Sequence, residues 1–489
     1  MFDRESQFRA LFHPGAVAFI GASNKPRKWG SIILNNMVVG GYSGRIYPVN
    51  PAEAEIQGFK AYAGIVDIPE IPDLAVIVVP PAAVPGAVDA CCAKGVKAGV
   101  VITAGFAEVG PDGAKLQEEM VRKARLGGMI LVGPNCNGIM RPPANLYIAM
   151  PPVFPPPGKL AVVAQSGNVA TSIARRIMKA GFGCSCFISS GNEADLHCED
   201  YFSFLADDPE TEVILSYVEG FRDGRRFFDK VREVSKKKPV VMLKSGSTEA
   251  GAKAAASHTA SLAGSDLAFE GVCAQAGVIR AMDMDEMVTI ATGIIGQPLP
   301  RGKRIGIVTA GGGWGVLAAD ACVKMGLDVA NLPDDTLAEL DSFLPAWWNR
   351  GNPVDLVAGL KQEDLGTSLE VLLRCPVIDG VIVLGIMPAL PFEPMPRVLT
   401  QEYIDRRIAS MIKVIVEIYD QFTEMARRYG KPVIVSSEMP FSVGDFESRL
   451  SIALGGRGCA CYPAPEDAAL VMAGLHRYAR YVHGDDMRG

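Results

Sequence analysis

The chain has 489 residues, 49% of them hydrophobic and 21% charged, with 52 glycines, enough for two or three domains that each bury a core. A net charge of −6 argues against general affinity for nucleic acid or an anionic membrane. No apolar run reaches the roughly 18 residues that a spanning helix needs, and Met1-Phe2-Asp3-Arg4-Glu5 lacks the apolar stretch of a signal peptide, so the expected compartment is the cytoplasm.

The N-terminal part reads as alternating strands and helices. Apolar runs at Ala16–Ile20, Arg45–Val49, Leu74–Val79, Ala98–Ile102 and Met129–Val132 are separated by helical patterns such as Val84–Lys94 and Gly113–Leu126. Buried strands alternating with helices predict a parallel, doubly wound α/β sheet. Such sheets bind ligands at the carboxyl ends of their strands. Those ends here are Gly21-Ala22-Ser23-Asn24-Lys25-Pro26-Arg27-Lys28, Val49-Asn50-Pro51, Val79-Pro80, Thr103-Ala104-Gly105 and Pro134-Asn135-Cys136. Each alone suits a plain turn; five together suggest one ligand rim. The first carries three cations before a helix, a setting that attracts anions. It is not GxGxxG, so a nicotinamide oxidoreductase loses its main support.

Two Pro-rich stretches, Met150–Gly158 and Gly296–Gly302, read as linkers and divide the chain into 1–147, 148–297 and 298–489. The later two parts begin alike. The strand Leu160–Ala164 runs into Gln165-Ser166-Gly167-Asn168, and the strand Arg304–Val308 into Thr309-Ala310-Gly311-Gly312-Gly313-Trp314-Gly315. One interval aligns Gly167 with Gly312 and Gly181 with Gly326, which suggests an internal repeat. A strand, glycine turn and helix N-terminus form an anion site through backbone N–H groups and the helix dipole. The alternative is glycine that merely lets strand and helix pack closely.

The segment Ala256-Ser257-His258-Thr259-Ala260-Ser261-Leu262-Ala263-Gly264-Ser265-Asp266 sets one histidine among small and hydroxyl residues. A phosphorylatable imidazole needs to be exposed, neutral and surrounded by groups that bond phosphate oxygens. The plainer reading is a hydroxyl-rich loop before a helix near Leu267–Gln275. Glu219 follows the apolar strand Val213–Tyr217, at a strand end where its carboxylate could hold the ring proton of a histidine; Glu193 and Asp195 are looser alternatives. The 11 cysteines are expected as reduced thiols. Cys184/Cys186 and Cys459/Cys461 lack a partner pair at zinc spacing, and neither they nor His197 is read as a metal site. Core packing is expected for Trp314, Trp347 and Trp348, and a Pro-rich loop across 385–410.

The histidine segment, the rim and the glycine turns together resemble the nucleoside-diphosphate-forming acyl-CoA synthetases, relatives of succinyl-CoA synthetase. The resemblance covers nearly the whole chain and points to the α subunit of an ADP-forming acetate–CoA ligase. It implies a Rossmann-like CoA-binding domain followed by two flavodoxin-like, succinyl-CoA-synthetase-type domains. It implies that CoA meets Gly21, Ser23, Lys28, Asn50, Val79, Pro80, Ala104 and Asn135. It implies phosphate at Ser166, Gly167 and Asn168 and at Gly311, Gly312, Gly313 and Gly315, with catalysis by His258 and its partner Glu219. The family often has lysine after Asn-Pro where this chain has Ala52, so Arg27 is a candidate replacement. Neither an ATP-grasp domain nor a P-loop is found in the sequence, so ADP or ATP with Mg²⁺ is expected mainly on a separate ATP-grasp β subunit in a hetero-oligomer. The other ligands expected are a small carboxylic acid or its acyl-CoA. The competing readings are a non-catalytic CoA-binding protein of the same fold and an ATP-citrate-lyase-like or succinate-specific enzyme.

Overall fold

In a computed structural model, residues 3–248, 250–251, 253, 266–357, 362–386, 397–398, 400–437 and 445–484 are described. They form two compact units, Met1–Met178 with Gly183–Met282, and Lys179–Phe182 with Asp283–Gly489.

The first unit holds two main sheets. One contains β1 (Ala16–Ile20), β2 (Arg45–Val49), β5 (Leu74–Ile77), β6 (Ala98–Val101) and β7 (Ile130–Val132); β3 (Glu55–Ile56) and β4 (Phe59–Lys60) form a small hairpin beside it. Its order is β2-β1-β5-β6-β7, all parallel. The second sheet contains β8 (Gly138–Arg141), β9 (Leu146–Ala149), β10 (Pro157–Ala164), β11 (Cys184–Ser189), β12 (Val213–Val218), β13 (Val240–Lys244) and β14 (Ile279–Arg280). Its order is β14-β13-β12-β10-β11-β8-β9. The five later strands are parallel, and the β8–β9 hairpin lies antiparallel on the β11 edge. The second sheet thus reaches back to Gly138, before the Pro-rich stretch.

The second unit holds β15 (Arg304–Thr309), β16 (Asp328–Val329), β17 (Val354–Asp355), β18 (Gly380–Leu384), β19 (Val433–Ser436) and β20 (Cys461–Tyr462). Its order is β16-β15-β18-β19-β20, with β17 beside the end of β15. Leaving out the hairpin and β17, all three sheets share one winding: the first strand lies between the second and the third, so the direction of winding reverses beside it. That reversal is where open α/β sheets bind ligands.

The strands form because they are apolar without alternation, as sheets covered on both faces require; every residue of β1, β5, β11 and β18 is buried. Phe8, Phe12, Phe19, Val163, Ile188 and Phe202 lie in one continuous apolar core beneath both sheets of the first unit. Arg141, at the end of β8, is almost fully buried and forms a bidentate pair with Asp208 at 2.7 and 2.8 Å. The second unit has its own core, including Leu369, Ile415, Phe422 and Phe446.

Two expectations change here. The region 385–410 is not all loop: a 29-residue helix, Gln401–Tyr429, starts at the Thr400 cap and buries Ile408, Met411 and Ile415 at helical spacing. Residues 387–396 lie outside the described residues. Among the tryptophans, Trp348 is buried, with its indole N–H donating to Asp341 at 2.8 Å. Trp347 is instead 75% exposed. All 11 cysteines are free thiols. No helix among the described residues is long and apolar enough to cross a membrane.

Candidate functional site

The carboxyl ends of β1, β2, β5, β6 and β7 open into a cleft of about 650 Å³. Gly21, Ser23, Lys28, Asn50, Val79, Pro80, Ala104 and Asn135 all line it, joined by Lys25, Ala52, Glu53, Thr103, Cys136, Asn137 and Met150. Arg27 is not among the lining residues. Gly21 makes the first turn possible. Its φ is +89°, and a Cβ there would stand 2.3 Å from the Val78 carbonyl oxygen. The rest of the rim is tied down by local bonds. The Asn50 amide donates to the Ala22 carbonyl at 2.9 Å and accepts from the Ala52 N–H at 2.9 Å. Thr103 Oγ1 donates to the Val79 carbonyl at 2.7 Å, and the Asn135 N–H donates to the Thr103 carbonyl at 2.9 Å. Lys25 and Lys28 give one end of the cleft a cationic lip; Val79, Pro80 and Ile102 give it an apolar wall. That pairing suits a ligand with phosphates at one end and a thin apolar arm, as CoA has.

Cys136 and Asn137 lie on this rim as well. Cys136 is fully buried, its Sγ donates to the Val101 carbonyl at 3.3 Å, and burial pushes its thiol up to about 12. It is therefore a neutral wall residue and no nucleophile. Asn137 reaches the second sheet: its side-chain amide lies against Gly167, where a Cβ would stand 2.2 Å from Asn137 Cγ.

Beyond Gly167 lies a polar cluster at the ends of β10, β11 and β12. Gln165 organises it. Its Oε1 accepts from the N–H groups of Glu219 at 2.6 Å and Gly220 at 3.2 Å. Its Nε2 donates to the Gly220 carbonyl at 2.9 Å and to Glu193 Oε2 at 3.0 Å. Glu193, at φ +50°, also accepts from Ser190 Oγ at 2.7 Å. Burial raises the Glu193 carboxyl to about 7, although both hydrogen bonds favour the carboxylate. Glu219 is buried as well. Ser166, Gly167 and Asn168 stand beside this cluster at the start of the helix Gly167–Lys179. Asp195 is turned elsewhere, accepting from Arg125 Nε and the Leu131 N–H, each at 3.0 Å. His197 faces Arg226 and Glu199, at 3.1 and 3.4 Å. The clue to Glu193 in the sequence was its place in Ser190-Gly191-Asn192-Glu193, directly after a buried strand. His258 lies outside the described residues.

In the second unit, Gly311 caps the helix Gly312–Lys324 in extended conformation. Thr309 Oγ1 donates to the Gly311 carbonyl at 2.7 Å and accepts its N–H at 3.1 Å. Gly312 and Gly313 are exposed, Gly315 is buried, and a Cβ on Gly312 would lie 2.8 Å from Asp355 Oδ2.

Three family models cover most of the chain: a CoA binding domain over residues 15–142, a succinyl-CoA ligase like flavodoxin domain over 157–294, and a ligase-CoA domain over 305–436. The chain is 40% identical over 474 residues to the α subunit of acetate–CoA ligase [ADP-forming] II of Pyrococcus furiosus, covering 97% of this chain and 98% of that one. The chain belongs to the ADP-forming acetate–CoA ligase family. To the form I α subunit of the same organism it is 37% identical, covering 96% of this chain and 98% of that one. Among solved structures, the acetyl-coenzyme A synthetase 1 of Candidatus Korarchaeum cryptofilum, in complex with phosphate and ADP, matches with a TM-score of 0.84 at 34% identity. That match covers 98% of each chain. The α/β class, the CoA-binding domain and the flavodoxin-like domain expected from the resemblance are therefore those of the family.

Proposed function

We propose that this chain is the α subunit of an ADP-forming acyl-CoA synthetase. In its reversible reaction, acyl-CoA, phosphate and ADP become carboxylic acid, CoA and ATP. The observation that carries the reading is the junction at Asn137: one side chain borders both the cleft suited to CoA and the glycine turn suited to phosphate. The three-part division of the chain, with its first boundary before Gly138 so that the β8–β9 hairpin stays with its own sheet, gives each step its own α/β layer.

Lys25 and Lys28, with the backbone of Gly21 and Ser23, hold the phosphates of CoA. Val79, Pro80 and Ala104 flank the arm that leads to the thioester. Ser166, Gly167 and Asn168 hold inorganic phosphate at the N-terminus of their helix, and the turn Gly311–Gly315 offers a second such terminus. A phosphate oxygen attacks the thioester carbonyl carbon, the C–S bond breaks, and the thiolate takes up the proton released by hydrogen phosphate. The acyl phosphate then meets His258. The ring nitrogen attacks phosphorus, the acyl–oxygen–phosphorus bridge breaks on the phosphorus side, and the carboxylate leaves. Glu219 accepts the proton on the other ring nitrogen and balances the charge that the ring acquires. Gln165 fixes the Glu219 backbone, and so the direction of its carboxylate. A β subunit of ATP-grasp type presents ADP with Mg²⁺, and an oxygen of its β-phosphate takes the phosphoryl group from His258.

The deciding experiment is phosphorylation of the purified chain by γ-labelled ATP and Mg²⁺, together with its β subunit. Acid-labile label on His258, discharged by CoA plus a carboxylic acid, is the expected result. No label with the β subunit present would leave a CoA-binding protein without the chemistry.

A further inference from the structure

The cleft ends among polar side chains whose hydrogen-bonding capacity can be followed group by group. The side-chain NH₂ of Asn50 is committed to the Ala22 carbonyl, and that of Asn135 to Asn192 Oδ1 at 3.2 Å. Thr103 Oγ1 donates to Val79, and Cys136 Sγ to Val101. Asn137 differs. Its backbone is held on both sides: its N–H donates to Ser189 Oγ at 2.9 Å, and its carbonyl accepts from the Met150 N–H at 2.8 Å. Its side-chain amide makes no hydrogen bond among the described residues. It faces the cleft beside Cys136 and Met150, with its back against Gly167. The main chain is therefore fixed at Asn137 while the donor it presents is left open, and glycine at 167 leaves room for that amide.

We propose that the Asn137 amide binds the carbonyl oxygen of the acyl group, which makes it a catalytic residue of the thioester step. The inference rests on the synthetase reading above. When a phosphate oxygen adds to the thioester carbon, the C=O π pair moves onto oxygen, and Asn137 Nδ2–H donates to that oxyanion. As the C–S bond breaks the carbonyl re-forms, and the same donor keeps the acyl phosphate oriented for His258. A neutral amide suits this role because it is already in place, carries no charge to desolvate, and strengthens its bond as negative charge develops. The donor belongs to neither anion site. It stands where the two meet, at the carbonyl oxygen that the acyl group keeps in both its CoA-bound and its phosphate-bound form.

The test uses the chain with its β subunit, in variants Asn137→Ala and Asn137→Leu. Both keep the two backbone bonds that hold the segment. Three readouts are compared: acyl phosphate formation from acetyl-CoA and phosphate, trapped with hydroxylamine; CoA affinity by calorimetry; and labelling of His258 by γ-labelled ATP, a step without an acyl carbonyl. The expected result is a fall in kcat of about 100-fold in both variants, with CoA affinity and His258 labelling within about twofold of the unsubstituted protein. A kcat within about twofold would overturn the proposal. So would parallel loss of CoA binding or labelling, which would make Asn137 a structural residue. If the unsubstituted protein neither labels nor turns over, the synthetase reading itself fails and takes this inference with it.

Discussion

The glycine turns after β10 and β15 are built alike and furnished differently. Each follows a buried central strand at the reversal point of a sheet with the same winding, and each opens a helix of 13 residues. Around Gly167 stand an uncommitted amide, a glutamine with all its polar groups used, and two buried carboxyls, Glu193 and Glu219. Gly312 itself is exposed, and among the described residues the Asp355 carboxylate lies beside it, its Oδ1 accepting from the Val357 N–H at 2.9 Å. A carboxylate beside a helix N-terminus occupies the position an anion would want. Shared topology thus supplies two backbone frames, and the described side chains around them differ.

The strongest challenge to this contrast comes through the histidine it is meant to serve. His258→Ala should abolish labelling by γ-labelled ATP and all turnover, with CoA affinity by calorimetry unchanged; residual turnover above background would detach the chemistry from the second sheet. Next, Glu219→Gln should lower the rate of His258 labelling by about 100- to 1,000-fold, within the range for loss of a positioned proton acceptor. A smaller loss in that variant than in Gln165→Ala would shift the role to the network instead of the carboxylate.

The glycines themselves can be set against each other. A methyl at Gly167 must displace the Asn137 amide, whereas one at Gly312 meets a single carboxylate oxygen at an exposed turn. Gly167→Ala should cost at least tenfold in turnover and Gly312→Ala less than about threefold. The reverse order would make the third sheet the principal phosphate frame.

The last effect falls on stability instead of turnover. The folded Glu193 carboxyl sits near 7, above the ordinary carboxylate value, because burial disfavours its charge. A raised carboxyl binds its proton more tightly in the folded than in the unfolded chain. Its contribution is therefore fully present below about pH 4.5 and is lost as pH rises towards 7. Comparing thermal unfolding from pH 4.5 to 8, Glu193→Gln should lack that loss, a difference of roughly 3 kcal/mol at most. Parallel curves for the two proteins would show Glu193 already ionised when folded.

How much of this was legible in the sequence followed from how local each signal was. Strands β1, β2 and β15 show as apolar runs because both of their faces are covered, and their ends show because glycine, asparagine and proline interrupt the run. The eight rim residues expected to meet CoA line a single cleft because each lies within a few residues of such an end. The β8–β9 hairpin did not show. Its strands are four residues each, and their place is set by pairing with β11, some fifty residues later. Glu193 was visible as a carboxylate near a strand end, but its importance comes from Gln165, which is distant in sequence. The helix Gln401–Tyr429 was hidden behind the prolines that precede it, although its own isoleucines keep helical spacing.

The β8–β9 hairpin also has a bearing on how this molecule could be divided. Gly138–Ala149 follows the CoA-type sheet in sequence but closes the edge of the next one, where Phe187, Ile188 and Ser189 pair with Met140, Ile139 and Gly138. A fragment ending before Gly138 would leave the hairpin with its neighbour and β11 covered. One ending just after Ala149 would carry the hairpin away and leave β11 as a bare edge of six buried residues, the kind of surface that recruits foreign strands and aggregates. A recombination that exchanges the CoA-type sheet should therefore succeed only when its crossover lies before Gly138, so that the hairpin stays with the sheet whose edge it closes.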